Sequence, residues 1–342
     1  MESQVVATPQ ILDRYRGAIG RELRRFLGVS SLPFSRMLHY HLGFADRAGK
    51  STEGYLGKAL RPSLLLFACE ALGGEWAKAL PAAVAIELVH NFSLVHDDIQ
   101  DNDLERHGRP TVWRLWGVGQ AINVGDALRE LAALALLQSA GDLPPEQALR
   151  ASAVLGRAVL EMIEGQYLDL LFEERPLVTI QDYLEMAERK TGALLGAALE
   201  LGALLAGAGD ESVALFRNCG RKLGICFQIK DDVLGIWGDQ TQTGKSTKND
   251  LLRKKKSLPI VYALNRDGHR IRTIYHRPTL EEANLPPLIE ALEETGAQRW
   301  AEELAEDHCR QGLAELRRAE LLPGWAQEEL EELTRFLLTR ER

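Results

Sequence analysis

The chain has 342 residues, of which 45% are hydrophobic, and a formal net charge of −8 at pH 7. That balance, with no basic stripe interleaved with aromatics, argues against nucleic-acid binding, while the apolar content supports a sizeable core. Cys69, Cys219, Cys226 and Cys309 lie apart, with no CxxC pair, and read as buried free thiols of a reducing, cytoplasmic compartment. The opening MESQVVATPQ has no basic region followed by an apolar stretch, so no signal peptide is expected. No apolar run reaches the roughly 18–20 residues of a membrane span, so no membrane anchor is expected either.

Strand signals are almost absent, and the good helix formers Ala, Leu, Glu and Arg dominate. The pattern predicts helices over 8–28, 34–43, 61–72 and 82–101, with loops at 29–33, 49–57 and 102–111 between and after them. Pro81 stands near the start of the fourth, where its missing N–H costs little. Further helices are predicted at 118–138, 145–173, 180–207 and 210–237. A polar, Lys-rich stretch at 238–257 reads as irregular, and helices resume at 258–266, 280–294, 297–319 and 324–341. The apolar run at 192–209 is interrupted by Glu200 and rich in Ala and Gly, which suits close helix packing. With no Pro-, Gly- or Ser-rich linker, the chain reads as one all-α domain over 1–342.

Chemistry concentrates at 87–110, ELVHNFSLVHDDIQDNDLERHGRP. On a helix Asp97 and Asp101 share one face, with Asp98 beside them. Partly buried carboxylates at that spacing need a cation between them. Oxygen-only ligands suit Mg²⁺, which usually shares its shell with substrate phosphates. The following Arg106-His107-Gly108-Arg109 suits anionic oxygens. A second acidic end, Gln228-Ile229-Lys230-Asp231-Asp232, echoes the first: FQIKDDV resembles SLVHDDI. Two such ends opposed across a bundle point to one shared cavity holding several Mg²⁺ ions and a diphosphate. Lys58 and Arg61 stand at a helix start, where free N–H groups add to their charge. Lys190-Thr191 lies in apolar surroundings, and Lys245 and the run 254–256 follow the second acidic end. Gln166 and Asp169 form a polar pair on one helix face, and His90 lies two turns before Asp97.

In this order, GKALRP, ELVHNFSLVHDDIQD, ERHGRPT, GQYLDL, RKTGALL, FQIKDDVLG and GDQTQTGKSTKNDL with KKKSLP resemble the trans-isoprenyl diphosphate synthases, the polyprenyl synthetase family. The likeness spans about residues 57–264 and is strongest to its bacterial geranylgeranyl-forming members. It implies the all-α isoprenoid synthase fold, a bundle around a deep central cavity, acting as a homodimer. It implies that Asp97 and Asp101, supported by Asp98, hold the Mg²⁺ ions of the allylic diphosphate, and that Asp231 holds a third. Arg106, Lys190, Lys245 and Lys255 would contact the allylic diphosphate. Lys58, Arg61 and His90 would hold isopentenyl diphosphate, and Thr191 and Gln228 would line the reacting centre. Three positions depart from the family pattern. His107 replaces a second Arg, with Arg109 as a possible substitute. Gly235 replaces an Asp, with Asp239 or water as the remaining ligand. Ser246-Thr247-Lys248 stands where Pro and Gly are usual.

The reaction implied is head-to-tail condensation of isopentenyl diphosphate with an allylic diphosphate of C5–C15. Tunnel depth sets product length in this family, and Phe92 and Ser93, five and four residues before Asp97, would form the floor. A bulky Phe92 beside a small Ser93 predicts a C20 product first and C15 second. A class I terpene cyclase of the same fold is the alternative activity, but it has no need of Lys58, Arg61 and His90.

Overall fold

Asp97 and Asp98 lie in the last turn of one long helix, and Asp231 and Asp232 lie in the last two turns of another. The computed structural model describes residues 8–28, 32–52, 54, 57–140, 143–238, 247–266, 269–275, 277, 279–318 and 322–339. Helix α1 (Gln10–Leu27) is amphipathic and buries Ile11, Leu12, Tyr15, Ile19 and Leu23. A short α2 (Ser35–His41) precedes α3 (Leu60–Ala71), which is buried along almost its whole length. Helix α4 (Leu80–Gln100) carries Pro81 in its first turn, where no intrahelical donor is lost. It packs between α3 and α6 (Val118–Ala140), and α6 leads to α7 (Pro145–Glu174).

The predicted loop at 102–111 contains a two-stranded hairpin, β1 (Glu105–Arg106) and β2 (Arg109–Pro110), followed by the short α5 (Val112–Trp116). Its connecting pair, His107 (φ 54°) and Gly108 (φ 69°), is left-handed at both positions. A two-residue type I′ connection requires that geometry, and His tolerates it better than most side chains.

The predicted single helix at 180–207 is broken into α8 (Ile180–Ala187), a π-turn (Glu188–Gly192) and α9 (Ala193–Leu205). Thr179 and Asp182 form a reciprocal capping box at the start of α8. That arrangement satisfies two backbone donors that a helix start otherwise leaves unpaired. Helix α9 is buried on all sides, packed against α3, α7 and α10 (Asp210–Trp237). Its Ala- and Gly-rich surface lets α10 approach until backbones touch: a Cβ on Gly220 would lie 2.5 Å from the Leu195 carbonyl oxygen. The apolar run at 192–209 is therefore packed inside the bundle. Among the described residues no helix is long and apolar enough to cross a membrane.

Two further helices lie where the sequence pattern is weak, α11 (Thr247–Leu252) and α13 (His269–Tyr275), on either side of α12 (Leu258–Asn265). The chain closes with α14 (Leu285–Glu294), α15 (Ala297–Arg318) and α16 (Gly324–Thr339). The main apolar core gathers residues from α1 to α16, and a smaller cluster between Ile236 and Ala297 adjoins it through Trp237 and Trp300. All four cysteines are buried and free, with the Cys226 and Cys309 thiols in contact between α10 and α15.

Candidate active site

The ends of α4 and α10, the π-turn, the α3 start and the middle of α7 enclose one cavity of about 1590 Å³. Asp97 and Asp101 border it from α4, Asp231 from α10, and Lys190 and Thr191 from the π-turn. Lys58, Arg61 and His90 border it at one end, with Arg106, Gln228 and Lys255 also in its wall. Phe92 and Ser93 border it further down α4, among Met162, Ile163 and Tyr167 of α7. Two residues singled out in the sequence cannot be placed against it. Lys245 lies outside the described residues, as does Asp239.

Asp98, expected to support the carboxylates Asp97 and Asp101, does not itself border the cavity. Successive helical residues point about 100° apart, so Asp98 turns away from the cavity and is 1% exposed. Its Oδ1 accepts from Arg106 Nε and Nη2, both at 2.6 Å. Asp98 thereby sets the position of Arg106, which does border the cavity. The proposed substitution of Arg109 for the missing second Arg also fails on geometry. The Arg109 guanidinium lies 4.1 Å over the Tyr40 ring and donates to the Ala45 carbonyl at 2.9 Å. It takes no part in the cavity wall.

The π-turn explains why Lys190 and Thr191 reach the cavity. One extra residue per turn shifts the helix phase, and such bulges often mark functional sites. The turn presses against α7 at Gly165, where a Cβ would lie 2.2 Å from the Lys190 backbone nitrogen. Lys190 then extends to Asp169 of α7, Nζ to Oδ2 at 2.5 Å. Lys255 arrives at the same oxygen, at 3.5 Å, from the segment after α11. Burial alone would raise the Asp169 pKa, but Lys190 and Lys255 reverse that and hold it below the ordinary range. Burial works against the Lys190 charge too, yet Asp169 keeps its pKa raised, and Lys255 behaves alike. Two half-buried ammonium groups thus stay charged at the cavity wall because one carboxylate lies behind them.

The sign of the pH dependence follows. A depressed carboxylate pKa adds stability that is fully present above the unfolded value, about 3.9. That stability is lost as pH falls through the folded pKa. Asp169→Asn should therefore flatten the acid side of the thermal-stability profile below about pH 4. It should also lower kcat/KM for the allylic substrate about 10- to 100-fold, the value of a buried charge-assisted hydrogen bond. Steady-state kinetics beside melting curves measure both; an unchanged kcat/KM removes the positioning role.

On α10, Asp231 is exposed while Asp232 is buried. Asp232 accepts from the Tyr183 hydroxyl at 2.7 Å, from Gln228 Nε2 at 3.0 Å and from the Leu258 amide at 2.8 Å. Burial raises its pKa to about 6 against these bonds and the nearby Lys255. It therefore joins α8, α10 and α12. The chain continues upward: Thr191 donates its hydroxyl to Gln228 Oε1 at 2.6 Å. With its proton so engaged, Thr191 has only lone pairs left for the cavity.

Residues missed in the sequence come from the stretch read as irregular. Asp250 borders the cavity, and its Oδ2 lies 3.9 Å from where a Cβ on Gly235 would be. A carboxylate from α11 so stands near the place of the acid missing at 235. Arg253 bridges Asp101 at 2.7 Å and Glu173 at 2.8 Å. No local pattern marks either residue, because both act across long sequence distances.

An all-α bundle around one deep cavity, with two acidic helix ends and several cationic side chains facing it, defines the isoprenoid-synthase class of fold. Residues 47–292 match the polyprenyl synthetase family, and the chain belongs to that family. It is 39% identical over 310 residues to a geranylgeranyl diphosphate synthase of Mycobacterium tuberculosis, covering 90% of this chain and 88% of that one. It is 40% identical over 313 residues to a (2E,6E)-farnesyl diphosphate synthase of Mycobacterium bovis, covering 89% and 86%. The crystal structure of a polyprenyl synthetase from Streptomyces coelicolor superposes with a TM-score of 0.87 at 36% identity, covering 96% of this chain and 98% of that one.

Proposed function

We propose that the protein is a Mg²⁺-dependent prenyltransferase that joins isopentenyl diphosphate head to tail to an allylic diphosphate of C5–C15, with C20 geranylgeranyl diphosphate as its main product. The observation that carries this reading is the joint lining of one cavity by carboxylates, cations and apolar side chains that include Phe92, Met162 and Ile163. The relatives' names include geranylgeranyl, farnesyl and geranylfarnesyl diphosphate synthases, and the C20 assignment rests on Phe92 with Ser93.

The donor set fits Mg²⁺: Asp97, Asp101 and Asp231 offer carboxylate oxygens. Among the described residues no group of three or more His, Cys, Asp or Glu side chains is arranged to hold a metal ion. Mg²⁺ at this site therefore draws on water and phosphate oxygens as well, which is its habit, and we assign three ions to the substrate-bound enzyme. When bound, Mg²⁺ stabilises the negative charge that develops on a departing diphosphate. Lys190, Lys255 and Arg106 hold that diphosphate by charge, and Asp169 and Asp98 fix their positions. Lys58, Arg61 and His90 hold the diphosphate of the second substrate. As the allylic carbon loses its leaving group, the Thr191 oxygen presents lone pairs to the growing positive charge. Gln228, held by Asp232, keeps that hydroxyl turned. The double bond of isopentenyl diphosphate attacks the carbon, and the departing diphosphate takes the released proton.

Radiolabelled isopentenyl diphosphate with each of the C5, C10 and C15 primers, followed by chromatography, tests the reaction, the primer and the product together. Conversion of geranylgeranyl diphosphate alone to a hydrocarbon would overturn the reading in favour of a cyclase.

We assign a homodimer to the apolar outer faces of α6 and α7. Leu134 and Leu137 on α6, and Leu149, Leu160, Ile163 and Tyr167 on α7, are 46–73% exposed. Leu160, Ile163 and Tyr167 recur at helical spacing on one face, a contiguous patch that a monomer seldom leaves in water. Ile163 and Tyr167 also border the cavity, so a partner lying there closes its wall. Leu160→Asp should shift the protein from dimer to monomer in light scattering after size exclusion; an unaltered dimer would remove this face.

A further inference from the structure

The Lys58–Arg61 end of the cavity carries three imidazoles, and one of them has no role in the reading above. His41 is the last residue of α2. It borders the cavity, and its Nε2 is buried with no hydrogen-bond partner. Asn91 of α4 bonds to the ring. The charged and titratable groups that face this cluster come from three sides. Arg106, His107 and Arg109 approach from the hairpin, Arg61 from α3, and His90 and Glu87 from α4.

His41 and His90 are held neutral among guanidinium groups. Burial lowers the His41 pKa to about 3, and Arg106, His107 and Arg109 lower it in the same sense. His90 is pushed down by burial first and then by Arg61 and Arg106. Asp98 and Asp103 face Arg106 from behind, and Glu87 is raised by burial to about 7 although Arg61 and Asn91 oppose this. A neutral His41 therefore leaves an unpaired nitrogen lone pair among guanidinium groups. A diphosphate entering here brings negative charge beside His41, which favours the protonated forms of His41, His90 and Glu87.

We propose that His41 is a diphosphate-binding residue of the isopentenyl diphosphate pocket, and that it takes a proton from solvent as the diphosphate enters, turning its unpartnered Nε2 into an N–H donor to a phosphate oxygen. The proposal rests on the reading that this end of the cavity takes isopentenyl diphosphate.

Titration calorimetry of isopentenyl diphosphate into the full-length enzyme, in two buffers of different ionisation heat at one pH, tests this directly. The expected result is a buffer-dependent heat equal to net uptake of about one proton or more per ligand bound. His41→Gln, which keeps a donor but no titration, should reduce that uptake. It should raise KM for isopentenyl diphosphate about 10-fold and leave the allylic KM unchanged. His41→Asn, which also lacks a titrating ring, is the second variant and should lower the uptake to the same extent, with its melting curve showing that the fold is kept. Binding with no buffer dependence overturns the proton coupling and leaves the assigned reaction standing. Equal uptake and equal KM in a folded His41→Gln enzyme overturns the role of His41. Absence of any isopentenyl diphosphate binding to the wild-type enzyme overturns this proposal together with the functional reading beneath it.

Discussion

Asp101→Asn lowers kcat by about 100- to 1,000-fold, the cost of removing one group that stabilises charge developing in a transition state. The melting temperature without Mg²⁺ should change little. Asp101 is partly solvated, and Arg253 retains Glu173 as a second carboxylate. What should disappear is the additional thermal stability that Mg²⁺ with inorganic pyrophosphate confers on the wild-type enzyme, since a ligand stabilises only the state that binds it. Asp98→Asn makes the contrast. It weakens a carboxylate–guanidinium pair whose side chains are only 2% and 11% exposed. Leaving one partner of a buried pair uncompensated costs about 3–5 kcal/mol. The Asp98 variant should thus lose stability as well as rate, whereas the Asp101 variant loses rate alone. Steady-state kinetics across a Mg²⁺ titration, with melting curves on the same preparations, separates them. An Asp101→Asn enzyme with undiminished kcat at saturating Mg²⁺ would exclude Asp101 from the metal site.

The second large effect lies in the product. Phe92→Ala should move the main product at least one isoprene unit beyond that of the wild type. Each added unit buries five carbons, worth about 4 kcal/mol at ~0.8 per carbon, so burial always favours another cycle and only a steric stop ends growth. We propose Phe92 as that stop: it is 6% exposed, borders the cavity, and sets its ring edge-on to His96 at 5.0 Å between centroids. The small Ser93 beside it donates to the His90 carbonyl at 2.8 Å and leaves the space above open. Truncating a buried Phe can destabilise by about 3–5 kcal/mol. Part of that should be recovered when a longer chain fills the space. Chromatography of the dephosphorylated products decides the matter. A Phe92→Ala enzyme that melts earlier but makes an unchanged product would show the ring to be core packing.

Local patterns account for what could be read before any coordinates. Helices such as 210–237, with an apolar stripe and a polar start, are specified by neighbours within two turns, and the observed α10 spans Asp210–Trp237. The echo of DDIQD in DDVLG placed both acidic ends on helices, since it consists of contiguous residues. The short helices at 247–252 and 269–275 escaped notice because single turns carry little periodicity. The break in 180–207 escaped because a π-turn arises from contact with α7, not from the composition of RKTG.

The sequence by itself determined the fold class, the family and the chemical types around the cavity: carboxylates at 97, 101 and 231, cations at 58, 61, 190 and 255, and an aromatic at 92. Only the tertiary structure decided which of those groups face the cavity and which hold them there. Asp98 and Asp101 are three residues apart on one helix, yet one is enclosed behind Arg106 and the other meets Arg253. Asp169 became the support of two lysines, and Asp250 came to lie opposite Gly235. The reason is physical. Side-chain type and helical phase are local properties of the chain. The partner that keeps a buried charge in place must come from wherever packing brings one, and no spacing in the sequence records that distance.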